Sequence, residues 1–184
     1  VRISEVFNFL PIILMNSLFP AIVRAKTRNE TLYQNRLQAV FTILLWVAIA
    51  ISLFISFGSH FFIQILYGPE YGPAAHVLAL HIWTSVFIFL GIARSKWAVN
   101  ENLQIYTMLY MIIAAVINVI LNLVLIPVWN IQGAAVAAVF SQFVVGVLSN
   151  LFSSKTRPVF YLQLNSFHLL SSFKKGYSVL TKAI

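Results

Sequence analysis

Cysteine and aspartate are both absent from this chain of 184 residues, and glutamate occurs only four times. Without cysteine there is no disulfide, no thiolate metal site and no cysteine nucleophile. The carboxylates are scattered, His76 and His81 lie five apart and off a common helical face, and no glycine-rich phosphate loop is present, so no catalytic or metal-binding set assembles. We therefore expect a protein that is not an enzyme and that holds neither a metal nor a cofactor.

Charged residues are also scarce, because they make up 9% of the chain whereas 60% is hydrophobic, and the mean hydropathy is +0.89. About a quarter of the residues in a soluble protein are charged, so this composition indicates an integral membrane protein. The net charge of +8 would suggest nucleic acid as the partner of a soluble protein. Here the basic residues lie mostly in short gaps between apolar runs, where they set topology and attract anionic lipid headgroups. We expect membrane lipid, and no nucleic acid, as a partner.

Five apolar runs are long enough to cross a membrane, since a hydrocarbon core about 30 Å thick requires about 20 apolar residues in a helix. The runs lack the alternation of a membrane β-barrel. We predict transmembrane helices over residues 3–23, 40–66, 75–93, 105–126 and 131–152. The predicted fold is an all-α, polytopic membrane helix bundle. It divides into a five-span part, residues 1–152, and a basic amphipathic tail, residues 153–184.

The positions of the basic residues predict the orientation of these helices. Eleven of the 12 lysines and arginines fall in the Arg24–Arg36 loop, the Arg94–Glu101 loop or the tail, whereas residues 67–73 and 127–132 contain none. The positive-inside rule places the basic loops and the tail in the cytoplasm and the two other turns outside. The chain starts at Val1 without a signal peptide, so we expect it to begin inside a longer protein.

The tail is predicted to form one further helix. Pro158 suits the first turn of a helix, and apolar residues then recur every three or four positions as far as Ile184. Gln163, Ser166 and Lys174 are among the polar residues between them. This pattern predicts an interfacial amphipathic helix on the cytoplasmic leaflet of the membrane.

Five polar residues within the predicted spans are candidates for a substrate pathway: Arg2, Glu5, Asn8, Asn118 and Asn122. The last two share one helix face, and buried amides in hydrocarbon must find partners or water. They either bind neighbouring helices or line a polar cavity. Arg2 and Glu5 are three residues apart, a spacing that lets them pair on one helix face. They lie in a membrane lumen if the helix extends upstream, and at headgroup level if it begins here.

Small residues predict where two of the helices touch. Gly133, Ala137 and Ser141 repeat every four residues on the fifth predicted span. Such a stripe allows two helix backbones to approach closely.

Several short motifs, in their order along residues 1–152, resemble one family. They are Arg2-Ile3-Ser4-Glu5, Leu18-Phe19-Pro20-Ala21, Leu66-Tyr67-Gly68-Pro69-Glu70-Tyr71 with Ala74-Ala75, Asn118, Leu121-Asn122, Leu125-Ile126-Pro127 and Gly133-Ala134-Ala135. The chain resembles the C-terminal part of bacterial polysaccharide flippases, the O-antigen and exopolysaccharide transporters of the multidrug/oligosaccharidyl-lipid/polysaccharide exporter superfamily. The resemblance implies a fragment of a transporter with roughly 12 to 14 helices in two bundles around a central cavity. The N-terminal bundle of the same protein would then be a partner of this one.

The function implied by the resemblance is export of an undecaprenyl-diphosphate-linked oligosaccharide across the bacterial cytoplasmic (inner) membrane, for lipopolysaccharide or exopolysaccharide biosynthesis. Transport would proceed by alternating access, coupled to a proton or sodium gradient. Arg2 is the one basic residue expected in the lumen, where it suits a diphosphate, and the amides suit sugar hydroxyls. Alternatives are a drug/cation antiporter or a peptidoglycan-lipid flippase of the same superfamily, or a non-transport five-span membrane subunit. Glu5 is the only acidic residue within a predicted span, which disfavours the antiporter.

Overall fold

The computed structural model describes residues 6–168, which are helical throughout apart from short connections. The helices are α1 (Phe9–Arg28), α2 (Glu30–Tyr67), α3 (Gly72–His81), α4 (Thr84–Asn100), α5 (Gln104–Gly146) and α6 (Arg157–Asn165), with short 3₁₀ segments at Pro69–Tyr71 and Leu148–Leu151. The described residues contain no strand. The prediction of an all-α membrane helix bundle is confirmed.

The turn between α2 and α3 forms where the glycines and prolines predicted it. Gly68 ends α2 with φ of 94°, a conformation that side chains with a Cβ rarely adopt. Pro69 opens the 3₁₀ segment and Gly72 begins α3. The chain therefore folds back at once, and α3 packs against the end of α2.

The segment α5 consists of two helical arms that run antiparallel. Asn130 has φ of 50° and ψ of −133°, outside the helical region. A Cβ on Gly133 would collide with the backbone carbonyl of Leu125, although eight residues of straight helix would separate the two by about 12 Å. The chain therefore reverses at Asn130, and residues 104–129 and 131–146 form the first and second arms of a hairpin.

Four described segments are long and apolar enough to cross a membrane: Phe9–Arg28, Glu30–Tyr67, Pro69–Asn100 and Gln104–Leu151. The reversal at Asn130 divides the last of these into two arms, which correspond to the predicted spans 105–126 and 131–152. Each of the five predicted runs is helical over most of its described length, but the run 75–93 is divided between α3 and α4, and the ends differ from the predicted ones.

The core lies where α1, α2 and α4 meet, around the fully buried side chains of Phe41, Leu45 and Phe89. The second arm of α5 packs against α3 and α4. The first arm touches the rest of the chain along one stripe only, and its other faces carry exposed apolar residues. Those faces are suited to contact lipid or further helices.

The basic segments gather at one end of the bundle, which we call the basic end. Lys26 Nζ and Glu101 Oε1 are 2.8 Å apart, so the segments predicted as the Arg24–Arg36 and Arg94–Glu101 loops contact each other. Tyr33 donates a hydrogen bond of 2.6 Å to the same carboxylate oxygen. This contact fixes the relative positions of α1, α2 and α4 at that end.

The predicted Arg94–Glu101 loop is wrong in extent. Helix α4 continues to Asn100, because Trp97 and Ala98 bury a further apolar turn against α1 and α2 in the core. Arg94 is consequently a residue of the helix interior and not of a loop.

The tail begins with a helix, as Pro158 predicted, but this helix buries polar side chains that we expected to face water. Gln163 and Ser166, which we expected on a water-facing side, are buried against the bundle, whereas Leu164 and Phe167 are exposed. Buried polar partners explain the difference, since Gln38 Nε2 donates to Ser166 Oγ over 2.9 Å. The part of the predicted interfacial helix beyond residue 168, and residues 1–5, lie outside the described residues.

Candidate functional site: a polar seam ending at a buried arginine

The two predicted asparagines of α5 contact each other. Asn122 Nδ2 donates to Asn118 Oδ1 over 3.0 Å, one turn away on the same arm. Asn122 Oδ1 is buried and has no hydrogen-bond partner among the described residues. The hydrogen bond that these amides make stays within one helix, so among the described residues they do not bond two helices together.

A groove of about 360 Å³ lies between the two arms of α5, and Asn118 lines it. Its other lining residues are Met111, Ala114, Ala115, Ala138, Ser141, Gln142 and Val145. Ala137 and Ser141 are buried beneath it, so the small-residue stripe lies at the helix contact as predicted. The groove presents two side-chain amides and the Ser141 hydroxyl in a wall that is otherwise apolar, an arrangement that suits hydroxyl groups of a ligand.

Arg94 lies on α4, at the basic end of this groove. We call the groove and the polar residues around Arg94 the polar seam. The side chain of Arg94 is only 3% exposed, and its guanidinium carbon lies 5.6 Å from the centre of the Tyr110 ring. Nη1 reaches Ser149 Oγ at 3.5 Å, the limit of a hydrogen bond. Nε is buried without a partner. Tyr110 belongs to the first arm of α5, one turn from Ala114 in the groove wall.

A polar network joins Tyr110, whose ring contacts Arg94, to the beginning of the tail. Tyr110 Oη and Thr156 Oγ1 are 3.0 Å apart, and Thr156 Oγ1 donates to the carbonyl of Asn150 over 2.9 Å. Gln163 of α6 accepts from Asn150 Nδ2 over 3.1 Å and donates to the Gly146 carbonyl over 2.8 Å. These bonds hold the 3₁₀ segment and α6 against the two arms of α5.

Arg94 makes no ion pair within residues 6–168. Of the three glutamates described, Glu101 pairs with Lys26, Glu30 bonds Gln34 over 2.7 Å, and Glu70 lies in the turn after α2. A buried charge costs several kcal/mol unless it is compensated, and a desolvated cation–π contact returns about 2 kcal/mol. A guanidinium with an unpaired N–H in this setting is suited to bind an anion such as a phosphate.

The other predicted site residues lie apart from this seam or outside the description. Asn8 precedes α1, and its Oδ1 is buried without a partner among residues 6–168. No hydrogen bond in that range joins it to Asn118 or Asn122. Arg2 and Glu5 fall outside the described residues, so their two alternative positions stay predictions.

Sequence reasoning missed Arg94 because it was counted among the charges that set topology. Helical periodicity carries a signal that could have found it. Leu90, Arg94 and Ala98 are spaced by four residues, and all three are buried in one face of α4. A basic residue on an apolar helix face is unusual, because long basic side chains near helix ends normally reach for water.

Taken together, the helical hairpins, the apolar surface and the polar seam define a multipass membrane protein. The chain belongs to the family described as "Polysaccharide biosynthesis protein", whose model matches residues 3–182. This confirms the predicted kinship with polysaccharide flippase-type membrane proteins, and the match extends beyond residue 152 into the tail. At the level of the family, the chain has a role in polysaccharide biosynthesis or export. No curated protein and no solved structure matches it significantly.

Proposed function

We propose that this protein exports a lipid-linked oligosaccharide, an undecaprenyl-diphosphate-linked repeat unit, across the bacterial inner membrane during polysaccharide biosynthesis. It acts as a transporter and not as an enzyme. Its basic end, with the tail, faces the cytoplasm, in keeping with the positive-inside rule. The partners are membrane lipid, the lipid-linked substrate and an N-terminal helix bundle of the same protein.

The observation that carries the proposal is Arg94. A substrate that starts at the cytoplasmic leaflet presents a diphosphate at the level of the headgroups. Arg94 lies at the basic end, buried, and without a carboxylate partner among the described residues. A planar guanidinium binds phosphate oxygens through two parallel hydrogen bonds. Movement of Tyr110 or Ser149, the two residues that contact the guanidinium, would expose its unpaired Nε to the diphosphate.

The groove next to Arg94 supports the same assignment. Asn118 and Gln142 offer amide donors and acceptors about one helix turn or more deeper than Tyr110. Sugar hydroxyls both donate and accept hydrogen bonds, so side-chain amides suit them. The exposed first arm of α5 leaves this groove open to a facing bundle, and alternating access between the bundles would carry the substrate outward. A proton or sodium gradient would drive the cycle.

The test is complementation in a strain from which the gene has been deleted. The wild-type gene should restore surface polysaccharide, and Arg94→Gln should reduce it by about tenfold or more because a charge-assisted contact to the substrate is lost. Lys96→Gln is the matched control: it removes a positive charge two residues away on the same helix, from a side chain that is only partly buried. That variant should export normally.

Two outcomes would overturn the proposal. One is normal export by Arg94→Gln at wild-type protein levels. The other is a deletion strain that keeps its surface polysaccharide but loses drug resistance or peptidoglycan-lipid transport, which would favour the alternative cargoes. Expression and gel-filtration behaviour of both variants separate loss of transport from loss of folding.

A further inference from the structure

We propose that His60 and His76 form a binding site for a divalent transition-metal ion, such as Zn²⁺, Ni²⁺ or Co²⁺, at the end of the bundle opposite the basic end. His60 lies on α2 and His76 on α3, on either side of the turn at Gly68. Their ring centroids are 5.2 Å apart and their planes are inclined by 88°. This site is independent of the proposed transport function.

The two imidazoles meet edge to face, and the separation of their centroids is compatible with a shared metal ion. A zinc ion lies about 2.0–2.1 Å from each ligating nitrogen, and hence about 3.2 Å from the centre of each ring. Two ligands at the tetrahedral angle then have ring centres about 5.2 Å apart. The observed distance agrees with this, and both rings are on the surface, where they are able to turn a nitrogen toward a common ion.

The backbone around the pair is held in place by contacts on either side. Ser56 Oγ donates to the carbonyl of Ala79 over 3.0 Å, and Ser52 Oγ donates to that of Ile82 over 3.3 Å. Ile63 and Ala75 are buried in the apolar cluster between the same helices. A site on two helices fixed in this way is preorganised, so that metal binding costs little rearrangement.

The chemistry of the pair selects the class of metal. Imidazole nitrogens suit zinc, nickel, copper and cobalt, whereas magnesium and calcium prefer oxygen ligands. The described residues contain no cluster of three or more metal-ligating side chains of the His, Cys, Asp or Glu type. Water would therefore complete the coordination of the ion.

The sequence alone gave no sign of this pair, and we expected no metal site from it. His60 and His76 are 16 residues apart in the chain. They meet only because the turn at Gly68 folds α3 back along the last turns of α2.

The experiment measures metal binding by the full-length protein in detergent. Zn²⁺ and Ni²⁺ affinities are determined by titration calorimetry, and the midpoint of thermal unfolding is measured with and without Zn²⁺. The wild type should bind one ion at this site and gain thermal stability. His60→Ala and His76→Ala should each weaken the affinity by about tenfold or more and abolish the gain. His60→Gln, which keeps a polar side chain of similar length, should behave as His60→Ala.

His81→Ala is the matched control, because His81 is the other histidine of the short helix α3 and is not part of the proposed site. It should bind and respond as the wild type does. The proposal is overturned if the wild type shows neither binding nor a stability gain. It is equally overturned if the His60 and His76 variants respond to Zn²⁺ as fully as the wild type does.

Discussion

A close approach between α4 and α5 at Gly146 offers a prediction that follows directly from atomic positions. A Cβ built on Gly146 would lie 2.6 Å from the carbonyl oxygen of Phe87 and 3.3 Å from its carbonyl carbon. A carbon and a carbonyl oxygen in favourable contact are at least about 3.3 Å apart. The two helix backbones must therefore separate by roughly 0.7 Å to accept Gly146→Ala. No side-chain rotation relieves this contact, because the backbone fixes the position of the Cβ and the atom that it meets is a backbone carbonyl oxygen.

The cost of this separation is about 1–3 kcal/mol, the usual range for an overpacked core. The Gly146 carbonyl also accepts hydrogen bonds from Gln163 and Asn150, so a shift would strain the network that holds α6. Each of these bonds contributes about 1 kcal/mol. In a chain of this size, 1 kcal/mol corresponds to about 2–4 °C in the unfolding midpoint, so we expect Gly146→Ala to lower the midpoint by several degrees.

The assay is thermal loss of the monodisperse gel-filtration peak in detergent, compared between variants. Gly91→Ala is the matched control on the facing helix, since the nearest atom to its added Cβ is Gly146 Cα at 3.9 Å, an ordinary contact. Removing a helical glycine there should increase the free energy of unfolding by up to about 1 kcal/mol, so the midpoint should stay unchanged or rise. A Gly146→Ala protein as stable as the wild type would refute the close approach, as would an equal loss in Gly91→Ala.

Three further substitutions test contacts at the basic end and in the first arm of α5 by the same thermal assay. Glu101→Gln should cost less than about 1 kcal/mol and lose its effect at high salt, because the ion pair with Lys26 is partly exposed. Gln163→Leu should cost about 2 kcal/mol, since it removes two buried hydrogen bonds of about 1 kcal/mol each, one with Asn150 Nδ2 and one with the Gly146 carbonyl. Asn122→Leu should change stability by only about 0.6 kcal/mol, because its one hydrogen bond lies within its own helix.

These three results are ordered, and the order matters more than any single value. Loss of Gln163 should be the most damaging. If Glu101→Gln were worse than Gln163→Leu, the network around α6 would not be what holds the basic end together. A large effect of Asn122→Leu would indicate that its amide contacts another helix.

The apolar spans and their turns could be predicted because their causes are local. Length and hydropathy define a membrane helix, and the adjacent Gly68 and Pro69 end one. The reversal at Asn130 was also predicted, from the absence of charge around Pro127 and the apolar runs on both sides. None of these features depends on which helix faces which.

Arg94 could not be recognised in the same way, because its role depends on packing. The four-residue spacing of Leu90, Arg94 and Ala98 indicates a buried helix face, but the contact that the guanidinium makes there depends on the position of Tyr110. The orientation of α6 has the same cause. Gln163 faces inward because it forms hydrogen bonds there with Asn150 and the Gly146 carbonyl. An amphipathic pattern in the sequence does not distinguish a polar side that faces the protein interior from one that faces water.

Transfer of the lipid-linked oligosaccharide between leaflets is the most direct test of the proposed function. The full-length protein is reconstituted into vesicles that carry a fluorescent undecaprenyl-diphosphate oligosaccharide, and the fraction accessible to an external glycan-modifying enzyme is followed over time. Wild-type protein and Lys96→Gln should accelerate exposure of the substrate over protein-free vesicles, and Arg94→Gln should slow it by about tenfold or more. Wild-type vesicles no faster than empty ones, or Arg94→Gln vesicles as fast as wild type, would contradict the account.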